Sequence, residues 1–167
     1  MRYILILCCA VLTTVFTACG SRVNNAEELA IPIINAIRSE NANALKSMLP
    51  SQKELASIYS ANPEQLGYVY YNKYSSDYRK EYFEGKMTVS MDIIKTISKN
   101  EDLDWSAVEY SRPVKKDIND SGKSFTLVTI PLHFPKGDFD LTYNAVKENN
   151  RWFILEDVDI KKHEAGK

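Results

Sequence analysis

Glu156 is the residue of this sequence whose type and position best suit acid–base chemistry. It stands in the predicted strand 151–160, in which every second residue lies on the same face. The apolar residues that share its parity are Trp152, Ile154, Val158 and Ile160. A carboxylate removed from water has a raised pKa, which a general acid or base needs near neutral pH. Alternatively, Phe153 and Leu155 mark the core, or Glu156 lies at a rim or beside an arginine, so we assign no catalytic residue.

Nucleophilic and metal-dependent chemistry is poorly supported by the other residue types. His133 alternates out of phase with the apolar residues around it, so we expect it to face away from the core, and His163 stands in a charged tail. The segment that begins at Asp117 starts like a calcium loop, but its twelfth position is Val128, where a bidentate glutamate is needed. We therefore expect no nucleophilic constellation, no metal site and no cofactor.

Tyrosine supplies the candidate for an interaction surface. Six of the ten tyrosines lie between positions 68 and 82, and four of them recur at every fourth position: Tyr70, Tyr74, Tyr78 and Tyr82. Residues four apart are neighbours on a helix, so this row predicts an aromatic face for a glycan or protein partner. The alternative is ordinary helix packing, with the hydroxyl groups reaching water.

The first 20 residues predict the destination of the chain. Arg2 supplies a positive start, residues 4–16 carry no charge, and small residues follow. A spanning helix needs ~20 apolar residues, so this shorter stretch is typical of an export signal rather than of a membrane span.

The junction FTAC, which ends at Cys19, resembles the lipobox of bacterial lipoproteins. The resemblance implies that residues 1–18 are a signal peptide that is removed, that Cys19 receives acyl chains such as palmitate, and that residues 19–25 form a flexible tether. The protein would then be anchored to a membrane in the cell envelope of a Gram-negative bacterium, facing the periplasm or the surface. The alternative is ordinary secretory cleavage after Gly20.

Size and charge limit the classes of partner. A 167-residue chain that loses residues 1–18 keeps 149, the usual size of one domain with its own core. The loss removes one of 21 basic residues and none of 22 acidic ones, so the net charge goes from −1 to −2. A mildly acidic chain without a basic stripe argues against nucleic acid as a partner.

Two kinds of periodicity divide the chain into a helical part and a strand part. Cap residues and apolar spacing predict helices over about 24–37, 45–49, 51–59, 62–83 and 87–100, with Gly85 ending the fourth. After Trp105 the spacing of the apolar residues changes from that of a helix to that of a strand. It predicts strands near 108–113, 124–134, 139–145 and 151–160, with a turn-rich segment at 117–123. Helices followed by an antiparallel sheet of about four strands form an α+β pattern, which we assign to a single domain over 26–160 with a flexible tail at 161–167.

This layout resembles a known family. The opening helices with a break at 39–45, followed by a meander that ends in NRWFILEDV at 150–158, resemble NTF2-like (cystatin-like) lipoproteins, many of which are exported by Bacteroidetes-type bacteria. The resemblance implies a curved sheet that wraps the helices and often leaves a cavity. Members include cofactor-free isomerases, binders of small ligands and interaction domains, so this fold alone does not determine a function.

We therefore expect a lipid-anchored envelope protein whose α+β domain binds a small ligand, a glycan or another envelope protein. The pocket is expected between the sheet and the helices, with four candidate lining residues: Trp105, Tyr110, Tyr143 and Glu156. A cofactor-free enzyme that uses Glu156 and an interaction module built on the tyrosine row are the two alternatives.

Overall fold

The computed structural model describes residues 24–61, 79–120 and 123–164, in which helices precede an antiparallel sheet. The expected α+β class is therefore confirmed. Cys19, where lipidation is predicted, lies outside the described residues, as do three members of the tyrosine row: Tyr70, Tyr74 and Tyr78.

The helical part begins with a short turn and contains four α-helices and one π-helix in its described residues. These are a 3₁₀ turn at Ala26–Leu29, α1 at Ala30–Arg38, α2 at Ala42–Lys46, α3 at Gln52–Ala61, a π-helix at Arg79–Glu84 and α4 at Gly85–Asn100. The Asn41 side chain caps α2 by accepting a hydrogen bond from the Ala44 N–H at 3.1 Å. Before α3, the Ser51 N–H donates to the Glu54 carboxylate and the Glu54 N–H donates to Ser51 Oγ. This reciprocal pair is a capping box, so the predicted helix start at residue 51 is confirmed.

Gly85 does not end a helix, so the predicted stop at this residue is wrong. The π-helix passes directly into α4 there, and Gly85 lacks the left-handed backbone that a helix-ending glycine adopts. Phe83 and Met87 flank it, and both side chains are fully buried. Burial of each such side chain stabilises by about 1.5–3 kcal/mol, which outweighs the roughly 1 kcal/mol that glycine costs inside a helix.

The described strands form one antiparallel sheet. They are β1 at Glu109–Tyr110, β2 at Val114–Asp120, β3 at Lys123–Phe134, β4 at Gly137–Glu148 and β5 at Arg151–Lys162. β3 pairs with β4 on one side. On its other side β3 pairs with both β1 and β2, which lie one after the other along its length. β5 pairs with β4 and lies at the opposite edge of the sheet.

β2 is the strand that the sequence pattern does not predict. Residues 117–123 were expected to be turn-rich, but most of them belong to β2, where Asp117 pairs with Thr126. The many charged residues of β2 suit an edge strand, because charges there discourage pairing with another chain. The described sheet therefore has five strands rather than about four.

A proline in β3 accounts for the gap between β1 and β2. The Pro131 carbonyl accepts a hydrogen bond from the Ser111 N–H at 3.0 Å, so this side of Pro131 faces the edge strand. In an antiparallel ladder the N–H and C=O of one residue point the same way, and proline has no N–H to donate in return. The ladder is interrupted at this point, and residues 111–113 stand opposite only residues 130 and 131.

The core lies between one face of the sheet and the helical part. Its largest strand contributions come from alternate positions, as predicted: Val128, Ile130, Leu132, Leu141, Tyr143 and Ala145 are each at most 1 % exposed. Ile33 and Ile34 of α1 are equally inaccessible and belong to the same core. A space large enough for water beside these side chains would give them accessible surface, so the interior around them is filled by side chains.

The outer edge of β5 is covered by the helical part. The Ile154 N–H donates to the Met48 carbonyl at 3.0 Å, and the Val158 N–H donates to Ser90 Oγ at 3.2 Å. Met48 follows α2 and Ser90 lies on α4, so two separate helical segments bond to the same strand edge.

Candidate functional site

Tyr143, one of the four candidate pocket residues, is a core residue. It is 1 % exposed, and its hydroxyl group donates to the Ala26 carbonyl at 2.8 Å. Burial raises the pKa of the Tyr143 phenol above its usual value, and the negative charge of Glu27 makes a smaller contribution in the same direction. Tyr143 therefore ties β4 to the 3₁₀ turn at Ala26–Leu29.

Glu156 lies on an irregular part of β5 and not in the regular alternation that its sequence position suggests. Tyr143 pairs with Val158 and Asn144 pairs with Leu155, so Glu156 and Asp157 are extra residues in β5. Glu156 has a φ of 70°, in the left-handed region, and is half-buried. The two extra residues form a β-bulge in β5. This bulge directs Asp157 toward α4, where the Asp157 carboxylate contacts Lys86 Nζ at 3.2 Å.

Glycine should be better tolerated than alanine at position 156. A residue with a side chain is strained by roughly 1–2 kcal/mol in the left-handed region and glycine is not, so Glu156→Gly should be about 1 kcal/mol more stable than Glu156→Ala in chemical denaturation. At Asp159, which pairs regularly with Thr142, the order should reverse because glycine weakens a strand interior. The same order at both positions would contradict the bulged conformation.

Trp105 lines an open groove of about 660 Å³, which we call the Trp105 groove. It is bounded by the C-terminal ends of α1 and α4 and by the loop that follows α4. The indole Nε1–H donates to Ser98 Oγ at 2.8 Å, and the ring packs edge-to-face against Phe134 with centroids 5.2 Å apart. The orientation of the Trp105 ring is therefore held by one hydrogen bond and one aromatic contact.

Arg38 holds the loop side of the Trp105 groove. Its guanidinium Nε donates to the Trp105 carbonyl at 2.9 Å, and its Nη2 donates to the Val108 carbonyl at 3.1 Å. One planar fork thus binds two carbonyls of the loop at once, which a lysine could not do.

Most other charges of the Trp105 groove are paired. Lys95 Nζ lies 2.9 Å from the Glu40 carboxylate, and Asp102 is paired with Lys136. The pKa of Asp104 is lowered mainly by the hydrogen bond from the Ser106 hydroxyl group, and to a smaller extent by the one from the Ser106 N–H. Lys99 also lines the groove, and no carboxylate of the described residues forms an ion pair with it.

Tyr110 lines a different groove of about 320 Å³, beside the 3₁₀ turn at Ala26–Leu29 and the break between β1 and β2. This Tyr110 groove also includes Glu27 and Arg112. Glu27 Oε1 lies 3.3 Å from Lys115 Nζ, while its Oε2 is buried without a hydrogen-bond partner among the described residues. The structure thus places Trp105 and Tyr110 in separate grooves, and neither groove is lined by Tyr143 or Glu156.

Tyr82 is the one member of the tyrosine row within the described residues. Its ring packs edge-to-face against Phe83 with centroids 5.1 Å apart, and Lys86 Nζ lies 4.8 Å from its centroid. It is half-buried against the core. Tyr82 therefore takes part in helix packing, and the interaction surface proposed for the whole row stays a prediction.

His133 belongs to a polar cluster that the sequence pattern does not predict. The expectation that its side chain faces away from the core is confirmed, because it is exposed. Its ring nitrogens lie within hydrogen-bond distance of Ser111 and Asp138, which brings a serine, an imidazole and a carboxylate together. Asp138 could have been found from the sequence, because a two-residue turn at 135–136 places it opposite His133. Ser111 could not, because its position depends on the irregular edge of the sheet.

Within 24–61, 79–120 and 123–164, no group of three or more histidine, cysteine, aspartate or glutamate side chains is arranged to hold a metal ion. In the same ranges, no helix combines the length and the apolar character needed to cross a membrane.

Comparison with known proteins identifies no relative of this chain. No protein-family model matches it, and no curated protein or solved structure is significantly similar to it.

Proposed function

We propose that this chain is an exported lipoprotein, anchored through Cys19 in the cell envelope of a Gram-negative bacterium, whose α+β domain of NTF2-like type binds a ligand. The signal-like residues 1–18 and the lipobox-like junction FTAC support the anchor. The order of elements, helices first and an antiparallel sheet second, is compatible with an NTF2-like arrangement.

The Trp105 groove is the observation that carries the binding proposal. Its volume of about 660 Å³ lies within the range of about 300–1,000 Å³ typical of ligand pockets. Trp105 supplies a half-buried aromatic surface whose orientation is fixed by Ser98 and Phe134. A site that is ordered before binding loses less conformational freedom when its ligand arrives.

A small polar ligand with one apolar face, such as an oligosaccharide, fits this groove best. An indole ring stacks on apolar surface, and the charged groups around it offer hydrogen bonds to hydroxyl groups. Lys99 supplies an ammonium group without a paired carboxylate among the described residues, which favours an oligosaccharide that carries an acidic group.

Substitution of Trp105 tests the binding site. In calorimetric titrations with a panel of neutral and acidic oligosaccharides, Trp105→Ala should weaken binding at least about tenfold, because an aromatic contact residue contributes more than about 1.4 kcal/mol. Lys99→Gln should selectively weaken binding of the acidic members without touching the core. Tyr110→Ala, in the other groove, is the matched control and should bind as the unchanged protein does. Loss of binding in Tyr110→Ala alone would move the site to the Tyr110 groove.

Substitution of Cys19 tests the anchor separately. Cells that express the full chain and are fed labelled palmitate should incorporate the label into this protein and retain it in the membrane fraction. Cys19→Ala should abolish both. Cys9→Ala is the matched control, because it changes a cysteine within the predicted signal and should leave labelling intact. Equal labelling of Cys19→Ala and the unchanged protein would overturn the lipoprotein assignment.

A further inference from the structure

Three polar side chains, none of which lines either groove, are linked by hydrogen bonds on the exposed side of the sheet. Ser111 Oγ lies 2.8 Å from His133 Nε2, and His133 Nδ1 lies 3.0 Å from Asp138 Oδ1. All three residues are exposed. We call this chain of hydrogen bonds the Ser111 cluster.

The sheet holds the Ser111 cluster together. His133 and Asp138 are directly opposite each other in the β3–β4 hairpin, so their side chains share one face. The Ser111 N–H bonds to the Pro131 carbonyl at 3.0 Å, which places Ser111 beside the strand position two before His133. The Asp138 carbonyl also accepts the His163 N–H at 2.9 Å, which adds a further bond to this part of β4.

The order of atoms in the Ser111 cluster determines its chemistry. A carboxylate that bonds Nδ1 favours the tautomer with a proton on that nitrogen, and Nε2 is then left as an acceptor. The hydroxyl group of Ser111 stands at Nε2, so it donates to a nitrogen that can take its proton. Serine, imidazole and carboxylate linked in this order form the arrangement that activates a serine as a nucleophile.

We propose that Ser111 is an activated nucleophile toward carboxylic esters, with His133 as the general base and Asp138 as the positioning residue. In the first step Ser111 Oγ forms a bond to the ester carbonyl carbon while its proton passes to His133 Nε2. The C–O bond to the alcohol then breaks, and the alcohol leaves with that proton. Water then attacks the carbonyl carbon of the acyl-serine and gives a proton to His133 Nε2. The bond between that carbon and Ser111 Oγ breaks, and the proton passes from His133 to Oγ, which releases the acid and restores both residues.

Solvent exposure defines the substrate class. The side chains of His133 and Asp138 are 45 % and 59 % exposed, so a substrate would be held from one side and would keep much of its hydration. Such a site stabilises a developing oxyanion less than an enclosed one does. The Ser111 cluster is therefore assigned to small esters with good leaving groups, which need the least stabilisation.

The chain contains two matched controls for this assignment. Ser106 Oγ lies 2.6 Å from Asp104 Oδ1, so it is an exposed serine with a carboxylate partner, and neither histidine ring bonds to it within the described residues. His163 Nδ1 lies 2.9 Å from Asp140 Oδ2, which repeats the histidine–carboxylate pair. If exposure or a carboxylate were sufficient for reactivity, Ser106 would react as Ser111 does.

Covalent labelling of the purified full chain with a biotinylated fluorophosphonate tests the proposal. Ser111 Oγ would bond to phosphorus, fluoride would leave, and the proton would pass to His133. Peptide mapping should find the label on Ser111 and not on Ser106. The absence of label on Ser111, or equal labelling of both serines, would overturn the proposal.

Variants of the same exposed residues separate activation from folding. Ser111→Ala should abolish labelling, and His133→Gln should slow it about 10²-fold, the scale of general-base catalysis. Asp138→Asn should slow both labelling and the hydrolysis of p-nitrophenyl acetate. Asp138→Glu, which keeps the carboxylate, should recover part of both rates. If Asp138 had only a structural role, the asparagine and glutamate variants would not differ in these rates. His163→Gln should change neither. Labelling of His133→Gln at the unchanged rate would show that Ser111 is not activated by the imidazole.

Discussion

Replacing Tyr143 with alanine should lower the free energy of unfolding by about 3–5 kcal/mol, the range for removing a large buried aromatic side chain. Tyr143 is 1 % exposed and lies among β3, β4 and the 3₁₀ turn at Ala26–Leu29. Loss of its side chain therefore leaves a cavity that is lined by several elements of the fold. Tyr143→Phe keeps the ring and removes the hydroxyl group that donates to the Ala26 carbonyl. That variant should lose only about 1 kcal/mol, the net contribution of one hydrogen bond. Equal losses in the two variants would show that the ring does not fill the core.

The raised pKa of Tyr143 predicts a loss of stability at alkaline pH. Because burial raises the pKa in the folded state, the folded protein keeps this proton at pH values where the unfolded chain has lost it. The contribution to stability is therefore complete below the unfolded value of about 10 and declines as the pH rises above it, by about 1.4 kcal/mol per pH unit.

Urea denaturation at several pH values from 9 to 11 measures this effect. Tyr143→Phe has no phenol at this position, so its stability should fall less steeply above pH 10 than that of the unchanged protein. The other tyrosines are common to both proteins, and their titration is cancelled in the comparison. Parallel curves for the two proteins would contradict the buried, neutral state of Tyr143.

Replacing Arg38 with glutamine should loosen the loop that forms one wall of the Trp105 groove. Two loop carbonyls, those of Trp105 and Val108, would each lose a charged donor. Buried bonds of this kind contribute about 1.5–3 kcal/mol each, but Arg38 is exposed and water can replace part of them, so we expect a total loss of about 1–2 kcal/mol. Amide hydrogen exchange over residues 104–108 should accelerate correspondingly.

Two further substitutions separate the effect of the two guanidinium hydrogen bonds from the effect of the positive charge. Arg38→Lys keeps the positive charge but offers a single point of contact, so it should recover less than half of the loss. Lys99→Gln removes a charge from the same groove without a bond to the loop, so its stability should change by less than about 0.5 kcal/mol. Unchanged hydrogen exchange in Arg38→Gln would show that the loop is held by packing instead.

The parts of the fold that follow from local sequence could be predicted. The capping box of Ser51 and Glu54 depends on residues three apart, and the buried face of β3 follows from alternation between Val128 and Phe134. Both signals act over a few neighbouring residues, so no knowledge of the tertiary structure is needed to read them.

The parts that depend on distant pairing could not be predicted. Gly85 continues a helix because its neighbours are buried, and the gap beside β1 exists because Pro131 lies on the next strand. The bulge at Glu156 shifts the pairing of β4 with β5, which a reading of 151–160 as a regular strand with one residue parity per face does not reveal. The candidate sites are affected most, because Trp105 and Tyr110 line grooves whose walls come from segments far away in the sequence.

The bonds along the edge of β5 have a consequence for how this protein avoids aggregation. β5 is the last described strand, and two of its N–H groups, those of Ile154 and Val158, donate to acceptors at residues 48 and 90. A sheet edge with free N–H groups can add a strand from another molecule, and here that edge is closed only by segments synthesised much earlier. Contacts between such distant positions form slowly, so this edge is protected only once the helical part has packed against β5. The helical part therefore acts as a built-in cap that keeps the sheet from growing into a neighbouring molecule.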